Sequence, residues 1–512
     1  MLERVHLVVL AAAALVVLGR RSPRVGAVAA LAATLSAVPV LLVPRALLVP
    51  ALLGPLALWL GARGRRAPRG AWPAAWSTLA LGLALLGAVG HWLVPPARLV
   101  PPTGPWAVGI RDWVVVDSSR AEPLTSDPND RRVMAVRAWY PVAPAPKGRE
   151  VRAEYLPHAR LAYRGIAESL GVPALVVSGV DHLRGSGRTG ATPAGAGPWP
   201  LILYSGGFRQ GHHVHNTELA EELASRGYLV VGVGHSWEQA VTYRDDGSLL
   251  TLDDPGVQTA VSRMAAERGP GPVPTSQELG LLSPGARGER IAAYLAGVPN
   301  HQFSASLWRA DLDAVLDRVL EGRGEVGRFL QPLADPERLG VMGMSFGGST
   351  AGQLCANEPR CLAGANLDGT QWGEWFGEGF KTPFLYMSQE LDTWNDAWYG
   401  GAGLDYHRVR VAGAFHGDFT DGFHSTPLTR WAGVLGPIGG RRSGEILRAY
   451  VTAFFDRYLK NEPAPLLEGP APFPEVSHRR GSTSGERHDS EVEEGVLSEP
   501  SAPSPPVVAR VR

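Results

Sequence analysis

The chain has 512 residues, its 49 basic side chains cancel its 49 acidic ones, and charged residues make up only 19% of the total. The cancellation conceals a partition, because the first hundred residues carry ten arginines against the single acid Glu3 and the remainder is correspondingly negative. This excludes a uniformly water-soluble globule and a nucleic-acid binder, whose folded domain would hold the positive excess, and two cysteines exclude a disulfide scaffold or a cysteine-rich zinc module.

In chain order, apolar runs come first, at residues 5–19, 25–43, 46–62 and 76–94, separated by arginine-bearing joints. The later runs approach the ~20 residues that a helix needs to cross a bilayer. Residues 1–95 are therefore expected to form a helical transmembrane domain of about four helices, embedded in the membrane lipid bilayer. A signal peptide is the competing reading, but no small-residue cleavage site precedes the second run. The first joint holds Arg20, Arg21 and Arg24 and the third holds Arg63, Arg65, Arg66 and Arg69, against Arg45 alone in the second. That bias puts the first and third joints in the cytoplasm and everything after residue 94 outside it.

Residues 96–105, with Pro96, Pro101, Pro102 and Pro105, read as a stiff stalk. Beyond it, short apolar runs suited to buried strands lie at residues 133–140, 201–204, 228–233, 339–342, 363–367, 384–387 and 409–411. Helical periodicity falls between them at residues 217–225, 307–320 and 346–356, and again at 445–460. The alternation predicts one α/β domain over residues 106–476 with a mostly parallel sheet, whose ligands bind beyond the carboxyl ends of the strands. No aromatic residue follows Phe473, and residues 477–512, rich in Ser, Pro, Glu and Arg, read as a disordered tail.

The sharpest local feature is Gly343-Met344-Ser345-Phe346-Gly347-Gly348, entered by a predicted strand and left by a predicted helix. This is the setting of a nucleophile elbow, where a tight turn excludes side chains on either side of the serine and presents its hydroxyl at a helix amino terminus. A serine at neutral pH needs a base, and the base an orienting acid. Asp368 closes the strand at 363–367 and His416 follows the strand at 409–411, in the order Ser, acid, His. Asp392, after the next strand, is a rival acid.

Other features are weighed beside these. His212, His213 and His215 have no carboxylate or cysteine at ligand spacing and read as a solvated or substrate-lining cluster rather than a metal site. Cys355 and Cys361 flank a short loop and are either bridged or paired as buried thiols. Residues 244–247 read as a hairpin turn. Phe208, Phe346, Trp372, Trp375 and Phe376 are candidates both for an acyl pocket and for core.

A further set of runs lies at Gly104-Pro105-Trp106-Ala107-Val108-Gly109, at Pro128-Asn129-Asp130-Arg131-Arg132 leading to Arg137-Ala138-Trp139-Tyr140-Pro141, and at residues 201–207. It continues through Leu223-Ala224-Ser225-Arg226-Gly227-Tyr228, the elbow, Asn366-Leu367-Asp368-Gly369 and Phe415-His416-Gly417-Asp418-Phe419. On these runs, from about residue 103 to 476, the chain resembles the platelet-activating factor acetylhydrolase family of α/β-hydrolases, the plasma-type and type II enzymes and their bacterial relatives. The resemblance implies an α/β-hydrolase fold, with Ser345 as nucleophile, His416 as general base and Asp368, rather than Asp392, as its partner. It implies oxyanion donors at the backbone amides of Phe346 and Phe208, although Gly206-Gly207 stands where the family usually reads His-Gly. It further implies an ester hydrolase that needs no metal and no cofactor and acts on short or oxidised acyl chains of a phospholipid. A general carboxylesterase, lipase or polyester hydrolase on the same triad, and a catalytically silent, membrane-anchored lipid-binding protein, are the alternatives.

Overall fold

The computed structural model describes residues 98–143, 152–174, 183–195, 197–389, 394–424, 427–431 and 433–481. The expected membrane domain, residues 482–512 of the expected tail and the rival acid Asp392 lie outside the described residues. Among the described residues no helix is long and apolar enough to cross a membrane.

The strands are β1 (Ala107–Ala121), β2 (Arg131–Val142), β3 (Arg152–Glu154), β4 (Arg184–Thr189), β5 (Trp199–Ser205), β6 (Leu229–Val233) and β7 (Val241–Tyr243). They continue as β8 (Leu249–Thr251), β9 (Ala334–Met344), β10 (Cys361–Leu367), β11 (Phe384–Ser388), β12 (Tyr406–Val411) and β13 (Val476–Arg480). One sheet takes eleven of them in the order β13-β12-β11-β10-β9-β5-β6-β2-β1-β4-β3. Its centre, β12 through β6, is parallel throughout, and antiparallel strands flank it on both sides. β7 and β8 form the hairpin expected at residues 244–247.

The central strands are apolar on both faces because both faces are covered. Along β5, Ile202 and Tyr204 enter one core while Leu201 and Leu203 enter the other, as the two-residue repeat of a strand requires. The helices that bear on the site are α1 (Thr217–Ser225), α2 (Pro255–Ala265), α3 (Pro299–Glu321), α4 (Phe346–Asn357) and α5 (Gly440–Lys460). The first core takes Leu219 and Leu223 of α1 with Ile446, Tyr450, Phe454, Phe455 and Leu459 of α5. The second takes Leu312, Val315 and Val319 of α3 with Ala351 and Leu354 of α4. Helix α5 packs so closely on β9 that a Cβ on Gly340 would lie 2.8 Å from Phe455 and Leu459. Truncating Phe455 to alanine would cost about 3–5 kcal/mol.

Two expected boundaries are corrected. The stalk does not stand off the domain from residue 99 onward: Leu99 is buried, and the backbone N–H groups of Val100, Thr103 and Gly104 donate to Glu218, Glu222 and Ser225. Those acceptors recur at four and three residues along α1 and so share the face on which the segment lies. The domain also runs past residue 476. The residues Ser477, His478, Arg479 and Arg480 were expected in a disordered tail, yet they pair antiparallel with β12. An edge strand needs only its backbone to pair, and exposed charges along it block further strand addition, so its polar composition resembled that of a tail.

Candidate active site

β9 ends at Met344 and α4 begins at Phe346, leaving Ser345 between them at φ 57° and ψ −126°. Such a backbone is strained for a residue with a side chain and persists only where its surroundings over-determine it. A Cβ on Gly343 would lie 2.0 Å from the Gly347 oxygen, and one on Gly347 would lie 2.1 Å from the Ser205 oxygen. Glycine on both sides of the serine is therefore a requirement of close approach.

The hydroxyl of Ser345 lies 2.9 Å from His416 Nε2, and His416 Nδ1 lies 2.7 Å from Asp368 Oδ2. With Nδ1–H donated to the carboxylate, Nε2 is left as the acceptor for the serine hydroxyl. His416 is half exposed at 51% and Asp368 almost enclosed at 5%, so the ring is reachable while the acid behind it is not. Gln389 fixes the acid, its backbone N–H donating to Oδ1 at 2.9 Å and its side-chain amide to Oδ2 at 3.1 Å. Asp418 fixes the turn that carries the ring: its Oδ2 accepts from Phe415 N at 2.9 Å and Gly436 N at 2.6 Å. Neither Gln389 nor Asp418 was assigned a role from sequence, although Asp418 lies in the run 415–419 that carries the family resemblance.

The three residues open on a cavity of about 270 Å³ lined also by Phe208, Met264, His301, Phe346, Trp372 and Tyr386. Phe208 and Phe346, the expected oxyanion positions, thus border the same space as Ser345. The loop after β5 abuts the nucleophile, since a Cβ on Gly207 would sit 3.3 Å from Ser345 Cβ. Of the candidate pocket aromatics, Trp372 lines the cavity, whereas Trp375 and Phe376 pack edge-on against Trp398 in the second core. In this arrangement His416 can take a proton from Ser345 while the hydroxyl oxygen attacks a carbonyl held in the cavity.

The histidines at 212–215 do not line this cavity, and His212 and His213 are buried rather than solvated, with His215 partly exposed. Burial holds the rings neutral, taking His213 down to about 3 and His215 to about 4. The His212 ring packs edge-on against Tyr155 and Tyr163. Cys355 and Cys361 are joined in a disulfide.

The family model described as platelet-activating factor acetylhydrolase, isoform II, matches residues 94–248 of the chain. A probable 1-alkyl-2-acetylglycerophosphocholine esterase of Arthroderma benhamiae is 29% identical over 168 residues, which are 27% of this chain and 42% of that protein. The platelet-activating factor acetylhydrolase of Cavia porcellus is 22% identical over 393 residues, 73% of this chain and 80% of that protein. Among solved structures, a ferulic acid esterase from Streptomyces cinnamoneus superposes with a TM-score of 0.53 at 26% identity, covering 75% of this chain and 100% of that one.

Proposed function

The chain belongs to the platelet-activating factor acetylhydrolase family, and from that premise we propose that it is a serine carboxylic-ester hydrolase working through Ser345, His416 and Asp368. The observation that carries the reading is the unbroken hydrogen-bonded row from Asp368 through His416 to Ser345 at the wall of a cavity. His416 accepts the Ser345 proton as the hydroxyl oxygen attacks the ester carbonyl. The amides of Phe346 and Phe208 hold the tetrahedral oxyanion, the alcohol leaves with the proton from His416, and water then releases the acyl group from Ser345.

The substrate proposed is a phospholipid bearing a short or oxidised second acyl chain. A cavity of about 270 Å³ walled by Phe208, Met264, Phe346 and Trp372 suits a short acyl group better than a long one. A second reading, hydrolysis of aromatic acid esters, is favoured by the likeness to the whole of the ferulic acid esterase and by Trp372 and His301 in the cavity wall. Hydrolysis of p-nitrophenyl esters of rising chain length, with Ser345→Ala as control, tests the class. Phospholipids with a short second chain are expected to exceed those with two long chains at least tenfold in kcat/KM, about 1.4 kcal/mol of transition-state discrimination. Equal rates on the two lipids, with faster cleavage of feruloyl esters, would favour the second reading.

The same proposal sets the domain outside the cytoplasm, tethered to a cell membrane through residues 1–95. The arginine asymmetry supports it, as does the Cys355–Cys361 bond, since disulfides persist in oxidising compartments. A cysteine introduced within residues 63–69 should be shielded from an impermeant thiol reagent in intact cells, and one at Ser484 should react. The reverse pattern would put the domain in the cytoplasm.

A further inference from the structure

We infer that Gln239 is a positioning residue of the oxyanion pocket, gripping the Gly207 carbonyl and so aiming the backbone N–H of Phe208. The inference rests on the serine-hydrolase reading above and adds to it the group that orients one of its two oxyanion donors.

The Gly207 C=O and the Phe208 N–H belong to a single planar trans peptide unit, so fixing the direction of one fixes the other, pointing the opposite way. Gln239 Nε2 donates to that carbonyl at 2.9 Å, and Gln239 Oε1 accepts from the backbone N–H of His235, also at 2.9 Å. Both ends of the amide are engaged and the side chain is buried at 1% exposure, so the grip has one orientation. The next residue in the loop is held from the same segment, with Arg209 N donating to the Glu238 carbonyl at 2.8 Å while Arg209 sits at φ 61°. The loop's other side lies against the nucleophile: Cβ positions on Gly207 would fall 3.3 Å from Ser345 Cβ and 3.2 Å from Met344 Sδ.

A grip is only as firm as what carries it, and the segment from His235 to Gln239 is anchored by a second Ser-His-Asp row. Ser205 Oγ, at the end of β5, lies 2.9 Å from His235 Nε2, and His235 Nδ1 lies 2.9 Å from Asp311 Oδ2 of α3. Arg132 clamps Asp311 at 2.6 Å, reaches Glu122 at 3.0 Å and donates to the Ser236 carbonyl at 3.0 Å. Ser205, His235, Asp311 and Arg132 are all fully buried, and the His235 ring stacks on Trp308 with centroids 3.9 Å apart. No substrate reaches such a row, so it is no second nucleophile. Burial pushes the His235 pKa down and so favours the neutral ring, with Asp311 pulling the other way. With its Nδ1–H donated to Asp311, its Nε2 accepts the Ser205 hydroxyl, and every hydrogen bond in the row has a defined direction. Ser205 and Gln239 thus tie both ends of the β5 turn to one buried charge pair. This also gives the Pro128–Arg132 run a task, since its last residue supplies the clamp.

The test compares wild type, Gln239→Ala and Gln239→Met as full chains, Met keeping the length of the side chain without its donor or acceptor. Steady-state hydrolysis of p-nitrophenyl acetate is measured beside inhibition by a trifluoromethyl ketone, whose adduct with a serine carries an oxyanion. Both variants should lose at least about tenfold in kcat with KM within twofold, and bind the ketone more weakly by a comparable factor. A purely structural role would lower thermal stability without moving that affinity. Unchanged kcat and ketone affinity in either folded variant would overturn the inference while Ser345→Ala remains inactive. An active Ser345→Ala would instead overturn the serine reading, and the inference with it.

Discussion

Asp368 Oδ2 lies 2.7 Å from His416 Nδ1, and it reaches the ring from a backbone in the left-handed region, at φ 56°. The turn is anchored by Asp368 N donating to the Met387 carbonyl at 2.7 Å. Both carboxylate oxygens are occupied, Oδ1 by Gln389 and Oδ2 by Gln389 and His416. Asp368→Asn would present an amide that stabilises the wrong imidazole tautomer, and kcat should fall by about 10⁴, the size of that effect in serine proteases. Asp392→Asn should leave kcat within a few fold. Steady-state kinetics on a p-nitrophenyl ester decide it, and the opposite ranking would move the acid to Asp392.

Gly206 stands where its surroundings leave no room for a side chain. A Cβ there would lie 2.2 Å from the His212 carbonyl oxygen, a backbone atom that cannot swing aside. Gly206→Ala should therefore destabilise the domain by about 1–3 kcal/mol and slow the esterase by displacing the loop. Urea unfolding and kcat measured together check this, and an unaltered protein on both counts would contradict it.

The turn that presents His416 depends on a carboxylate. Asp418→Ala strands the N–H groups of Phe415 and Gly436 and removes the carboxylate partner of Arg430, which keeps its bond to the Gly436 carbonyl. Leaving the buried Gly436 donor unpaired costs about 1–3 kcal/mol, and the partly exposed Phe415 donor less. The expected result is a lower melting temperature and a kcat reduced at least about tenfold, with a smaller change in KM. Normal kcat in Asp418→Ala would show that the turn holds without it.

What sequence could and could not disclose follows from the range of the interactions. Ser345 was legible because the elbow's demands are local: glycines crowd the turn and a strand and helix flank it. Helix α1 was legible to its ends because its apolar face repeats within nine residues. β1 was missed because its burial alternates, with Trp113 and Val115 buried and Val114 and Val116 exposed, unlike the strands covered on both faces that the apolar runs marked. The buried polar groups left no local trace. Arg132 meets Asp311 across 179 residues, and Gln239 meets Gly207 across 32, and neither periodicity nor composition reports such a pairing.

Burial of His213 also sets a pH dependence. Its pKa is held at about 3, by burial first and by the Arg137 charge second, against an ordinary value of 6.5, with Asp112 opposing. Between those values the unfolded chain takes up a proton at this site that the folded chain refuses, so this histidine's contribution to stability is lost as pH falls below about 6.5. Replacing it with an uncharged residue removes that proton. The unfolding free energy of wild type relative to His213→Gln should therefore fall by about 2 kcal/mol between pH 6.5 and pH 5. Urea titrations at the two pH values measure it, and a difference independent of pH would contradict a buried neutral His213.

The claim on which the rest depends is that Ser345 is the nucleophile. Incubation of the full chain with a fluorophosphonate, followed by intact mass and peptide mapping, tests it directly. The account predicts one adduct per chain, located on Ser345, with loss of esterase activity in step with labelling and neither labelling nor activity in a folded Ser345→Ala protein. An adduct on another residue accompanied by loss of activity, or undiminished hydrolysis by Ser345→Ala, would contradict it.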